Sequence, residues 1–127
     1  MKRPPHVMLL LTAAACSGGA GAEQPPAWAG PRVVAEVLNA SQVRGLARQA
    51  TRLLRERGID VVYYGTADGT NDSTVVIVRR GDGTGPAQQV TRALGAGIVR
   101  VAHDTTLRVD ITVVLGRDLI LPGPPRP

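Results

Sequence analysis

Residues 32–58 read RVVAEVLNASQVRGLARQATRLLRERG, and this stretch decides the fold. Its first seven residues are mostly β-branched or apolar, which predicts a strand over residues 32–38. Apolar side chains then recur at helical spacing and form one stripe: Val43, Leu46, Ala47, Ala50, Leu53 and Leu54. This stripe predicts an amphipathic helix that ends at Gly58. A strand followed by such a helix indicates a sheet with helices packed against it.

The rest of the domain repeats this pattern. Further apolar runs predict strands at residues 59–64, 74–79, 98–102 and 110–115. A second helix is expected from Pro86 to Leu94, with Gly95 as its stop. The order β-α-β-β-α-β-β predicts an α+β fold, a two-layer sandwich in which two helices cover one face of a five-stranded mixed sheet. Alternation along the strands predicts the residues of the uncovered face: Val34, Glu36, Val62, Tyr64, Arg100, Thr112 and Val114.

Several short segments of this pattern match one known family. They are Val37-Leu38-Asn39, Gly45-Leu46-Ala47, Arg57-Gly58-Ile59-Asp60-Val61, Ala67-Asp68 and the closing DITVVLGRD at residues 110–118. Over residues 32–118 the chain resembles the LytR C-terminal domain. That module ends LytR-CpsA-Psr envelope proteins and also occurs alone in exported or lipid-anchored bacterial proteins. The resemblance implies a module of the cell envelope that has no catalytic signature.

The N-terminus predicts export. A basic tip, Lys2-Arg3, is followed by the short apolar run Val7–Leu11 and by small residues, as in a secretory signal peptide. The small residues before the single cysteine resemble a bacterial lipobox, although Ala13 stands where leucine is usual. We therefore expect residues 1–15 to be removed and Cys16 to carry a membrane-anchoring lipid.

Plain secretion is the alternative, with cleavage after Ala15 or after Ala22. Both possibilities place the protein outside the cytoplasm, either free or held at a membrane that faces the periplasm or the cell exterior. Residues 16–31 are rich in glycine, alanine and proline and are expected to form a flexible tether. Within it, Trp28 could insert at the membrane interface or pack back onto the domain.

Composition narrows the possible partners further. The net charge is +5, or about +3 once Lys2 and Arg3 are removed. The only aromatic residues are Trp28, Tyr63 and Tyr64, too few for a platform that stacks bases or sugars. In an exported protein, we therefore expect an anionic cell-wall polymer, lipid head groups or an envelope protein as partner, and no nucleic acid. The proline-rich residues 119–127 are expected to form a loose tail.

Two groups of side chains are candidates for ligand binding. On a helical wheel, Arg44, Arg48, Arg52 and Arg55 fall within about 80° of one another, opposite the apolar stripe. These guanidinium groups could bind phosphates of an anionic polymer, or they could form a solvated helix face. Asn39 and Ser41 precede the same helix and could help bind an anion at its N-terminus, or could simply cap it.

No arrangement of residues predicts catalysis, a metal site or a cofactor. His103-Asp104 could form an acid–base pair, but the sequence offers it no supported nucleophile, so a turn is the expected role. The carboxylates show no spacing typical of a metal or acid–base pair. Tyr64 is a candidate contact on the uncovered face, where a second protein or a second copy of the chain could dock. The oligomeric state stays open.

Overall fold

The computed structural model describes Lys2 and residues 26–122 and contains five strands and two helices. The strands are β1 (Val34–Asn39), β2 (Asp60–Thr66), β3 (Val75–Val78), β4 (Ile98–Val101) and β5 (Ile111–Leu115). The helices are α1 (Leu46–Glu56) and α2 (Thr84–Leu94). The chain order is β1-α1-β2-β3-α2-β4-β5, which confirms the predicted α+β fold class.

One mixed sheet has the strand order β2-β1-β5-β3-β4. β1 is parallel to β2 and to β5, and β3 is parallel to β4 but antiparallel to β5. The β1-α1-β2 and β3-α2-β4 units therefore run in opposite directions and extend toward opposite edges of the sheet. Right-handed crossovers in two such units put both helices on the same face.

The core lies between this face and the two helices. The strands contribute fully buried residues such as Ala35, Val37 and Val113, and the helices contribute Leu54 and Val90. Buried apolar area of this kind stabilises small domains at about 25 cal/mol per Å². A substitution that empties any of these positions would leave a cavity in a thin core.

The other face of the sheet is covered by no described element, and we call it the open face. Its central row follows the strand register across the sheet: Tyr63, Glu36, Thr112, Ile77 and Arg100. The next row contains Gly65, Leu38, Val114, Val75 and Ile98. Val34, Glu36, Arg100, Thr112 and Val114 thus lie on this face as predicted.

Tyr64 does not lie on the open face, and that prediction is wrong. The β1–β2 register shifts between Ala35 and Glu36, so Val62 is an extra residue in β2. Such a bulge reverses the alternation of side chains beyond it. Tyr64 therefore pairs with the core residue Val37 and lies on the helix side, while Tyr63 takes the place on the open face.

Both ends of the domain extend beyond the predicted boundaries. Trp28 is half-buried against the core, its backbone N–H donates to the Arg57 carbonyl at 2.7 Å, and its indole N–H donates to the Pro31 carbonyl at 2.7 Å. At the other end, Leu119 is buried and Leu121 packs against the core. Trp28, Leu119 and Leu121, which fall in the segments predicted to form the tether and the tail, therefore pack against the folded domain.

Candidate functional site

A groove between α1 and the edge strand β2 gathers most of the predicted arginines. Its volume is about 580 Å³, and we call it the arginine groove. The lining residues are Arg48, Thr51, Arg52, Arg55, Glu56 and Tyr64. Residues 48, 52 and 55 share one side of α1 because the helix repeats every 3.6 residues. The bulge in β2 supplies the facing wall, because it turns Tyr64 toward the helix.

Arg55 joins the helix to the strand at this groove. Its Nε and Nη2 donate to the Val61 carbonyl at 3.2 and 2.7 Å. This carbonyl belongs to the edge strand, so the guanidinium group both satisfies a part-buried acceptor and holds positive charge at the groove wall. Arg55 is therefore a structural as well as an electrostatic part of the site.

The arginines of the groove lack ion-pair partners within residues 26–122. The salt bridges found there join Arg32 to Asp60 and Arg117 to Asp72, and neither includes a residue of α1. The lining contains three guanidinium groups and only one carboxylate, that of Glu56. The groove therefore carries excess positive charge, and planar guanidinium groups suit bidentate binding of phosphate or carboxylate oxygens.

Thr51 adds a polar group that the fold does not satisfy. Its side chain is 2% exposed, and its Oγ1 has no hydrogen-bond partner among the described residues. An unsatisfied buried hydroxyl costs on the order of 1–3 kcal/mol, and this one is closed to solvent.

Arg44, also a predicted ligand residue, lies apart from the other arginines. It lines a separate depression of about 410 Å³ at the carboxyl ends of β1 and β2, together with Asn39 and Thr66. It stands one residue before Gly45, which adopts φ 81° and precedes the first helical residue. The predicted helix began earlier, and this later start separates Arg44 from the groove.

Asn39 and Ser41 use their side chains to build the loop before α1. The Asn39 Oδ1 accepts hydrogen bonds from the Ser41 backbone and hydroxyl at 3.0 and 2.6 Å, and its amide donates to the Val43 carbonyl at 2.8 Å. The Ser41 Oγ accepts from the Val43 N–H at 3.0 Å. Neither residue caps the helix, because the N-cap position is Gly45 and has no side-chain hydrogen bond.

His103 and Asp104 are separate parts of a turn. The His103 Nε2 lies 2.7 Å from the Gly81 carbonyl oxygen. Asp104 accepts hydrogen bonds from the hydroxyl and the backbone N–H of Thr106, at 2.5 and 3.0 Å. These bonds, the hydroxyl's first, hold the pKa of the Asp104 carboxyl below its ordinary value. The pair thus has the turn role expected for it.

Neither a membrane-spanning helix nor a metal centre is found in the part of the chain that the structure describes. Residues 26–122 contain no helix that is long and apolar enough to cross a membrane. In the same residues, no three histidine, cysteine or acidic side chains come together as a metal site would require. Cys16, the predicted lipid attachment site, lies outside the described residues.

These features define a class: a small α+β module with a cationic groove on its helix side. Residues 32–119 match the family described as LytR cell envelope-related transcriptional attenuator, the LytR C-terminal domain. Because this match covers most of the chain, the protein belongs to that family. The family comprises accessory domains of cell-envelope proteins that do not themselves catalyse a reaction, so this chain carries an envelope-associated module.

Two solved structures are similar to this chain. The soluble domain of a conserved secreted protein of Mycobacterium marinum, an Rv2700 ortholog, has 22% sequence identity and a TM-score of 0.49, over 76% of this chain and 68% of that one. The C-terminal domain of Rv0431 has 24% identity and a TM-score of 0.46, over 91% of this chain and 95% of that one. No curated protein matches the chain significantly.

Proposed function

We propose that this protein is an exported binding module that holds an anionic cell-wall polymer in the arginine groove. The observation that carries the proposal is the grouping of Arg48, Arg52 and Arg55 in one groove, where none of them makes an ion pair with a described residue. Wall polymers of bacteria carry phosphate or carboxylate groups at regular spacing, and such oxygens suit three guanidinium groups. Tyr64 adds a hydroxyl and an apolar ring edge for the sugar or polyol backbone.

Attachment at the membrane completes the mechanism. A lipid on Cys16 would hold the module within reach of the wall. Because Trp28 is tied to the domain, only the residues between Cys16 and Trp28 set how far the module can move from the membrane. Residues 17–27 separate Cys16 from Trp28, and this stretch of chain spans at most about 40 Å. Confinement to this layer raises the effective polymer concentration, so individually weak contacts suffice for occupancy.

Binding to purified wall sacculi tests the proposal. One sample keeps its covalently attached polymers, and a matched sample is treated with acid that cleaves phosphodiesters and removes them. We expect the protein to bind the intact sacculi at low salt and to be released as salt rises, because screening weakens phosphate contacts. Equal binding to the stripped sacculi, or binding that does not respond to salt, contradicts a polyanion as ligand.

Variants then locate the site. Arg48→Ala combined with Arg52→Ala removes two guanidinium groups that make no described ion pair, and we expect the affinity to fall about tenfold or more. Arg92→Ala combined with Arg108→Ala is the matched control, because it also removes two charges and both arginines are exposed and lie outside α1. An equal loss in the two proteins would show a general charge effect and would refute the groove as the site.

A further inference from the structure

The two edge strands of the sheet differ in how strongly they resist the addition of another strand. β2 lies at one edge and β4 at the other. In β2, the extra residue Val62 forms a bulge, and the Arg55 guanidinium group donates two hydrogen bonds to the Val61 carbonyl. Bulges and covered backbone groups both hinder strand addition. The register of β4 against β3 is regular, and the side-chain hydrogen bond nearest to it reaches the Ala102 carbonyl, one residue beyond the strand. β4 is therefore the edge that is open to addition.

Half of the backbone groups of β4 point away from the sheet. The N–H groups of Ile98 and Ala102 donate to carbonyl groups on the β3 side, at 2.9 and 3.0 Å. Alternate residues of a strand direct their backbone groups to the same side, so the N–H and C=O groups of Val99 and Val101 face outward. No described strand lies beyond β4. These two donors and two acceptors are therefore available to an extended backbone.

Apolar side chains beside this edge are exposed on both faces of the sheet. Ile98 is 49% exposed on the open face. Val101 is 58% exposed on the helix side, where its register partner Val78 belongs to the core. Neighbouring strands lie about 4.8 Å apart, so a strand added along β4 would cover part of both exposed side chains. A strand therefore fits this edge better than a surface that contacts one face alone.

A charge in the middle of β4 selects which strand fits. Arg100 is exposed on the open face and makes no ion pair within residues 26–122. Asp72 lines the same depression as Arg100, but its carboxylate is paired with Arg117 at 3.4 Å. Opposite charges that face each other across neighbouring strands are stabilising, and like charges are destabilising. An acidic side chain is therefore favoured opposite Arg100.

The same charge disfavours the pairing of β4 with β4 of a second copy. An antiparallel pair uses all four outward groups of each strand only when Val99 of one copy bonds with Val101 of the other. This register places Arg100 directly opposite Arg100 of the second copy, where the two like charges repel. The edge therefore favours a different polypeptide over self-pairing.

We propose that β4 binds an extended, acidic segment of a partner polypeptide, which adds to the sheet as a further strand. An acidic residue of the segment lies opposite Arg100, and an apolar residue two positions away covers Ile98. Main-chain hydrogen bonds to Val99 and Val101 give the affinity, and the side chains give the specificity. This site goes beyond the proposed function, because β4 and the arginine groove lie at opposite edges of the sheet and both can be occupied at once.

Amide hydrogen exchange of the full chain carrying Cys16→Ser tests this mode of binding. The probe is the acetylated and amidated peptide Thr-Val-Thr-Glu-Thr-Val-Thr, and the same peptide with lysine in place of glutamate is its control. For four hydrogen bonds we expect a Kd of about 0.1–1 mM. At ten times that concentration, exchange at Val99 and Val101 should slow roughly tenfold, while the amides of β2 should not respond.

Three results of this experiment would overturn the proposal. One is an unchanged exchange rate along β4 at about 10 mM probe, ten times the weakest expected Kd. Another is equal binding of the lysine peptide, which would show that Arg100 does not select an acidic segment. The third is slow exchange at Val99 and Val101 without any probe, reversed on dilution, which would identify a second copy as the occupant.

Backbone substitutions separate strand addition from contacts between side chains. N-methylation of the two threonines beside the glutamate removes N–H groups that would face β4, and we expect binding to weaken about tenfold or more. N-methylation of the glutamate, whose N–H would face away, is the matched control and should change binding about twofold or less. Equal losses with the two methylated peptides would show that the probe does not bind as a strand.

A matched pair of variants tests the same bonds from the side of the protein. Val101→Pro removes one outward N–H from an edge strand, a position at which proline is tolerated, and Val101→Thr keeps it. We expect the proline variant to bind the probe about tenfold more weakly and the threonine variant to bind nearly as well as the unmodified chain. Similar affinities of the two variants contradict the proposal, and the methylated peptides give their answer without any change to the fold.

Discussion

Replacing Trp28 by alanine should destabilise the whole domain, although the residue precedes the first strand. The indole is half-buried against the core, between the end of α1 near Gly58 and the start of α2 near Gly85. A tryptophan buries roughly 150–250 Å² when it is packed, which is worth up to about 4–6 kcal/mol at 25 cal/mol per Å². Since part of the ring stays exposed and the unfolded chain also shields some area, we expect a loss of about 2–3 kcal/mol.

Urea unfolding followed by circular dichroism measures this loss. With a slope of about 1–1.5 kcal/mol per M for a domain of this size, the midpoint should fall by about 2 M. Ile120→Ala is the control, because Ile120 is 88% exposed and its truncation should leave the midpoint nearly unchanged. Trp28 is the only tryptophan, so its fluorescence in the unmodified protein should follow the same transition as the dichroism. A midpoint shift below about 0.5 M, or fluorescence that changes well before the dichroism, would refute the packing of Trp28.

Two other predictions concern the loops. Gly116→Ala should destabilise the domain by about 1–3 kcal/mol or prevent folding, because the added methyl group would overlap the backbone of Ser73 and approach the Thr74 nitrogen to 2.6 Å; thermal unfolding measures this. In the turn at Asp104, the hydrogen bonds from Thr106 favour the ionised carboxylate and lower its pKa. Their stabilising effect is fully present at pH values above the ordinary carboxyl pKa, and it is lost as the pH falls through the lowered pKa. NMR titration should show Thr106→Val moving that pKa back toward the ordinary value, and an unchanged pKa would show that the hydroxyl is not its main cause.

The sheet could be predicted from the sequence to a large extent, and β2 shows why the prediction had a limit. Its residues are apolar or aromatic from Val61 to Tyr64, so no polar position marks the phase of the strand. A single extra residue, Val62, then exchanges the two faces beyond it. Two adjacent tyrosines look equivalent in the sequence, and pairing with β1 is what distinguishes them.

The start of α1 and the packing of Trp28 could not be predicted from the sequence, for two different reasons. Val43 continues the apolar stripe in the sequence, yet it lies before the helix and is exposed, because the loop built by Asn39 and Ser41 occupies that position. Trp28 lies in a stretch rich in glycine, alanine and proline, whose composition is typical of a linker. Its packing depends on a gap between two helix ends, which exists only after both helices have docked.

The candidate site was predicted in part. Helical periodicity was enough to group Arg48, Arg52 and Arg55 on one side of α1. The sequence could not supply the opposite wall, because Tyr64 reaches it only through the bulge in β2. Nor could it show that Thr51 would be buried without a partner, since that depends on the distance between helix and strand.

Mapping a bound anion onto the backbone tests the central claim most directly. The protein labelled with nitrogen-15 is titrated with a synthetic phosphodiester-linked polyol oligomer at low salt, and amide chemical shifts are recorded. We expect the largest saturable changes on residues 48–56 and on Tyr64, and we expect added salt to reverse them. Changes centred on the open face or on the loop at Asn39, with α1 unaffected, would contradict that claim.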